Sequence, residues 1–190
     1  MGSKRAINLL RKGIRNPALN LASGPNFKRK VLRQTVFTTA KTLTIEESGA
    51  LILLDKDEAS AITLPAITAG DIGATYTIME TVASNNDRTL NTAYDNDYFI
   101  GGLVMLPSAV WGSGTAQDGL ASNINAGSTD VQITWDGNLA NSAGGVGSTV
   151  TVTAVLTGNT AAGGGSKFFW AVTGQVFTAD PNSNGTAVFT

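Results

Sequence analysis

The sequence predicts an all-β protein: an antiparallel β-sandwich or jelly-roll-like body, preceded by an extended basic N-terminal arm that contains a short helix. Three observations predict this. From residue 36 the chain is a succession of short apolar or alternating runs separated by Gly-, Asn- and Asp-rich clusters, the pattern of strands and turns. Glycine is frequent, at 22 of 190 residues, and only 14% of the chain is charged, so the usual surface helix formers Glu and Lys are scarce. The third is the division of charge along the chain. Residues 1–45 hold ten Lys or Arg and no acid, whereas residues 46–190 hold three bases and fourteen acids, so +10 stands against 3 − 14 = −11.

The arm comes first, over residues 1–35. Within KRAINLLRKGI, Ile7, Leu10 and Ile14 recur at helical spacing, while Lys4, Arg11 and Arg15 fall largely on other faces. Gly13 and Pro17 limit that helix to a few turns. Asn16-Pro17 and Gly24-Pro25 then read as extended or turning chain. A solvated tail is the plain reading of such a segment, but a basic arm on an acidic body is also an interaction arrangement. It would seek a protein surface, a nucleic acid or an anionic lipid.

The body follows as one all-β unit over residues 36–190. Its expected strands are VFTTAKTLTI, GALILLD, AITLP, ATYTIMETV, RTLNT, DYFIGGLVM, DVQITWD, STVTVTAVLT, KFFWAVTG and TAVFT. TYTIMETV and TVTVTAVL alternate cleanly, so each should bury one face. LILL and FIGGLVML are more uniformly apolar and read as central strands. Pro65 ends the strand AITLP, because it has no N–H for a ladder and holds Leu64 extended; Gly70-Asp71 or Gly73 then turns the chain back toward Tyr76. The Gly-rich segments 112–128 and 137–147 read as surface loops, and no internal repeat is evident.

The missing chemistry narrows function. The chain has no Cys and no His, which excludes a Ser-His-Asp triad, thiol catalysis and Cys-based zinc sites. Three carboxylate groups remain: Glu46-Glu47, Asp55-Lys56-Asp57-Glu58, and Asp95-Asn96-Asp97 with Asp87 upstream. Paired carboxylates could hydrolyse glycosides, but turn capping is the commoner use of acids in such loops. Asp95-Asn96-Asp97 lacks the Gly and Glu of a calcium loop. GGVGST and GGGSK lack the spacing of a phosphate loop. Phe168, Phe169 and Trp170 read as core or subunit contact, and Trp111 as a core residue before an exposed anchor. No apolar run is long enough to span a membrane, and charges interrupt the apolar patch after the basic N-terminus, so it does not read as a signal peptide. An acidic body disfavours nucleic-acid binding there.

The segments TLTIEESGALILLD, AITLPAITAGDIGATYTIMET, LNTAYDNDYFIGG and KFFWAVTG together resemble a module of tailed-phage virion proteins, over about two-thirds of the chain. The pattern is similar to head decoration or cement proteins, and related modules occur in head fibres and tail-associated proteins. The resemblance implies a β-sandwich body, no enzymatic activity, no cofactor, self-association (often as a homotrimer) and docking on the major capsid protein at the outer surface of the virion. The basic arm is a departure from that pattern. The residues expected to bind the partner are Arg5, Arg11, Arg15, Lys28, Arg29, Lys30 and Arg33 through charge, and Ile7, Leu10 and Ile14 through apolar contact. The alternative reading is a head-fibre or tail-associated adaptor presenting a host-binding surface.

Overall fold

The computed structural model describes residues 30–37, 39–84, 86–94, 97–106, 122–125, 130–135, 145–157, 167–177 and 187–189. The strands in chain order are β1 (Val31–Arg33), β2 (Ala40–Thr42), β3 (Leu51–Leu54), β4 (Ser60–Thr63), β5 (Thr75–Glu80), β6 (Arg88–Asn91), β7 (Tyr98–Leu106), β8 (Ser122–Asn125), β9 (Gln132–Trp135), β10 (Thr149–Thr157), β11 (Lys167–Phe177) and β12 (Ala187–Phe189). One short helix, α1 (Gln34–Phe37), follows β1. Among the described residues they build a seven-stranded sheet, β1-β3-β5-β10-β11-β7-β8, and a five-stranded sheet, β12-β9-β6-β4-β2.

The first half of the chain alternates between the sheets. The odd strands β1, β3 and β5 stack in parallel, with Val31 beside Leu51 and Leu51 beside Thr77. The even strands β2, β4 and β6 stack in parallel in the other sheet, with Lys41 beside Ile62 and Ile62 beside Leu90. The second half closes each stack with antiparallel strands: β10 pairs with β5 and β11, and β9 pairs with β6 and β12. β7 then runs parallel to β11, and β8 antiparallel to β7. The β-rich expectation therefore holds, while the antiparallel expectation is corrected: among the described residues five of the ten strand pairings are parallel. The physical reason is the crossover. Each strand of the first half leaves for the opposite sheet, so the next strand in the same sheet arrives in the same direction rather than by a hairpin.

The corners of this crossover repeat. Thr44-Ile45-Glu46-Glu47-Ser48-Gly49-Ala50 and Thr68-Ala69-Gly70-Asp71-Ile72-Gly73-Ala74 each make a single 3-10 turn before a strand of the large sheet. In both, the acid's carboxylate accepts the backbone N–H of the Thr, Thr44 N to Glu47 Oε2 at 3.1 Å and Thr68 N to Asp71 Oδ2 at 2.9 Å. In both, the Gly has a left-handed backbone, φ 82° at Gly49 and 91° at Gly73, which a side chain would strain. In both, the Ala is buried and its N–H returns to the acid's carbonyl. The expectation of no internal repeat is thus corrected: Thr-x-x-acid-x-Gly-Ala occurs twice.

Alternation places the core. β5 has the pattern half-buried then buried along its length, so Tyr76 and Ile78 face inward while Thr75 and Thr77 face outward. Val150, Val152, Trp170 and Val172 of the large sheet share one core cluster with Ile62, Leu90, Ile133 and Trp135 of the small one. Full burial of such side chains contributes about 1.5–3 kcal/mol each. The rings of Tyr76 and Trp170 meet at 5.8 Å.

Three local expectations are also corrected. Residues 122–125, inside an expected loop, form β8. The expected strand 36–45 is divided among α1, β2 and the start of a 3-10 turn. The body begins before residue 36, because β1 pairs with β3 and Gln34 is fully buried. Most of the two Gly-rich segments, and Trp111, lie outside the described residues.

Candidate interaction surfaces

Two of the ten expected partner-binding residues, Lys30 and Arg33, fall in the described fold, and both are engaged within it. Lys30 Nζ donates to Glu47 Oε1 at 3.1 Å, and Lys41 Nζ donates to the same oxygen at 3.1 Å. Arg33 Nη1 donates to Asp55 Oδ2 at 3.1 Å. Asp55 also accepts the Thr35 N–H at 2.8 Å and the Thr35 hydroxyl at 3.2 Å, which fastens α1 to the end of β3. Burial pushes the Glu47 and Asp55 carboxyls up, but their hydrogen bonds outweigh it, so both sit below the ordinary range. Lys30 and Arg33 thus tie the edge strand β1 to the body. Arg5, Ile7, Leu10, Arg11, Ile14, Arg15, Lys28 and Arg29 lie outside the described residues.

The carboxylate groups singled out in the sequence have internal partners. Asp57 accepts from the Ser84 hydroxyl at 3.0 Å and from Asn86 Nδ2 at 3.1 Å. Glu58 pairs with Lys56 at 3.5 Å. Asp97 is buried and accepts the Ile67 N–H at 3.3 Å; burial raises its pKa and that hydrogen bond pulls it back in part. Asp95 and Asn96 lie outside the described residues. Among the described residues no group of three acids could hold a metal ion, and no helix is long and apolar enough to cross a membrane.

The sequence reading missed a buried charged pair where β5 hands over to β6. Arg88 and Glu80 are 1% exposed. Arg88 Nη1 donates to Gln34 Oε1 at 3.1 Å and to the Glu58 carbonyl, and Nη2 donates to the Lys56 carbonyl. Arg88 Nε lies 3.3 Å from Glu80 Oε1, within ion-pair range. Among the described residues Nε and both Glu80 oxygens have no hydrogen-bond partner. Burial pushes the Glu80 carboxyl up to about 7 against the pull of Arg88. A signal was present in the sequence. Glu80 falls on the apolar side of an alternating strand, and Arg88 is the only arginine after residue 45.

The outward face of the large sheet was also missed, and it is notable for its lack of charge. β5 and β10 present threonines in register: Thr75 and Thr153 hydroxyls lie 3.2 Å apart, and Thr77 and Thr151 hydroxyls 3.2 Å apart. β11 adds Ala171, Thr173 and Gln175 beside these. β7 adds Tyr98, Ile100 and Val104, with the Tyr98 ring packed on Phe169 at 6.2 Å. On the other flank β3 adds Leu51 and Leu53. Among the described side chains of these five strands none on this face is charged. The Arg33–Asp55 pair marks one rim, and Lys167 occupies the terminal register position of the β10–β11 pair.

The chain matches no protein-family model, and it has no match among curated proteins.

Proposed function

We propose that this chain is a non-enzymatic structural protein of a virion. It decorates the outside of a tailed-phage capsid, holds on through its basic N-terminal arm and self-associates, most simply as a homotrimer. The observation that carries this reading is the charge division, with the boundary moved to the fold. Residues 1–29 hold seven bases and no acid, while residues 30–190 hold six bases and fourteen acids, so +7 stands against 6 − 14 = −8. The engagement of Lys30 and Arg33 with Glu47 and Asp55 supports a body that carries the root of the arm and leaves the segment before it to the partner. The strand and turn signals resembling decoration proteins support the virion setting. We read the two-sheet body as sandwich-like, with its arm lying along acidic surface of the major capsid protein.

Exposed ion pairs contribute about 0–1 kcal/mol each, so attachment needs many of them together with the apolar side chains Ile7, Leu10 and Ile14. An oligomer presenting several arms gains effective concentration without any stronger single contact. The test is cryo-electron microscopy of the intact virion, counting copies and locating them. Many copies spread over the shell are expected. A few copies confined to a vertex or the tail would replace this reading with the head-fibre or tail adaptor.

A further inference from the structure

We infer that copies of this chain meet through the uncharged outward face of the seven-stranded sheet, each presenting the same face around a two- or three-fold axis. This deepens the self-association in the proposed function by naming its surface.

Electrostatics favour this face over the rest of the surface. Residues 30–190 carry fourteen acids against six bases, so two copies brought together through charged surface meet like charge. The β3-β5-β10-β11-β7 face is a large surface whose described side chains add none. A surface built to stay solvated on its own calls for about 25–35% charged residues. A face mainly of Leu, Ile, Val, Ala and Thr over five adjacent strands, with Gln175 and Tyr98 among them, departs from that far enough to need a cover.

Desolvation favours it as well. A face of free hydroxyls would resist drying, but here threonines are already tied across the strands, Thr75 to Thr153 and Thr77 to Thr151 at 3.2 Å. Their methyl groups join Leu51, Leu53 and Ile100 as contact surface, and little polar hydration is lost on contact.

So does area. Strands of 4, 6, 9, 11 and 9 residues, at about 3.4 Å per residue and about 4.8 Å between strands, give on the order of 600 Å². A standard interface takes about 800 Å² per partner, so this face supplies most of one. A partner of opposite charge would be met by the acidic surface instead. A glycan site would expose an aromatic ring, whereas Tyr98 is packed on Phe169.

The experiment uses the full chain with no particles present, so its failure leaves capsid attachment untouched. Sedimentation is followed over a range of concentration at low and high salt. The expected result is a mass above the 19.6 kDa of one chain, held or strengthened by salt as body repulsion is screened. The double variant Thr77→Lys/Thr151→Lys should weaken association by roughly a hundredfold, since each lysine would be desolvated without a partner. A separate variant, Thr151→Cys, places the only thiol in a chain without cysteine. Its maleimide labelling should slow as the protein assembles, and this readout decides the matter even if the lysine variant fails to fold. Four results overturn the inference: a single-chain mass at every concentration, whether the thiol reacts freely or is covered by the chain itself; assembly dissolved by salt, which assigns it to the arm; assembly unchanged in the lysine variant; or a thiol that labels equally fast when assembled.

Discussion

Glu80 gives the protein an unusual pH response for a single carboxyl. Unfolded, it ionises near its ordinary 4.5; folded, it holds its proton up to about 7. Between those values the folded state binds a proton that the unfolded state has released. Its contribution is therefore fully present below about 4.5 and is lost as pH rises through about 7, on the order of 3 kcal/mol in all. Glu47 and Asp55 run the other way: their lowered pKa values give stability above the ordinary range that is lost as pH falls through their folded values. Stability should then peak in mild acid and decline toward neutrality. Thermal melts across that range check it, and Glu80→Gln should flatten the decline; an unchanged slope in that variant would assign it to other groups. Gly101 in β7 has a φ of 97°, and a Cβ there would run into the Val172 carbonyl oxygen of β11. Gly101→Ala should cost roughly 2 kcal/mol or more in urea denaturation, because backbone rather than a flexible side chain must move. At this scale the sequence marks polar exceptions on apolar faces, such as Glu80. It does not mark their partners, because Gln34 reaches Arg88 only through the folded crossover.

Strands were the most legible elements. Every expected strand region of the body contains an observed strand, because half-burial writes itself as alternation. Pairing direction was not legible. A parallel rung and an antiparallel hairpin bury the same alternate residues, and only the turn chemistry separates them. That chemistry lay in the twice-used Thr-x-x-acid-x-Gly-Ala corner, whose meaning depends on two distant corners being equivalent. β1 and β8 escaped because VLR reads as part of a basic arm and SNIN as a polar loop. The corners differ in load, which yields a ranked prediction. At the second, Asp71 accepts, among the described residues, only from Thr68, its N–H at 2.9 Å and its hydroxyl at 2.5 Å. At the first, Glu47 is buried and holds Lys30 and Lys41 as well as Thr44. Asp71→Ala should cost about 1 kcal/mol, the scale of a lost cap. Glu47→Ala should cost about 2–3 kcal/mol, since two charged donors lose their acceptor. Urea midpoints of the two variants check the order.

At the scale of the whole molecule, charge shows a two-part organisation and the fold moves its hinge. Counting bases alone places the boundary near residue 35, because Lys30 and Arg33 look like the rest of the arm. Their partners Glu47 and Asp55 lie 17 and 22 residues further on, a distance at which sequence gives no pairing signal. Two deletions separate the boundaries. Removing residues 1–29 leaves β1, α1 and the ion pairs in place, so the urea midpoint should stay near that of the full chain, while the proposed function requires that particle attachment be lost. Removing residues 1–35 also takes β1 from the edge of the large sheet, the Lys30 carbonyl that accepts the Leu51 N–H at 2.8 Å, and both ion pairs. It removes Gln34 as well, which leaves the buried Arg88 one acceptor short beside Glu80. That loss, with the packing of Leu32 against the core, should cost on the order of 3–5 kcal/mol. The same midpoint and slope in both truncations would return residues 30–35 to the arm. A lower midpoint only in the longer deletion makes β1 the first element of the body, with Arg33 a structural tie rather than part of the binding arm.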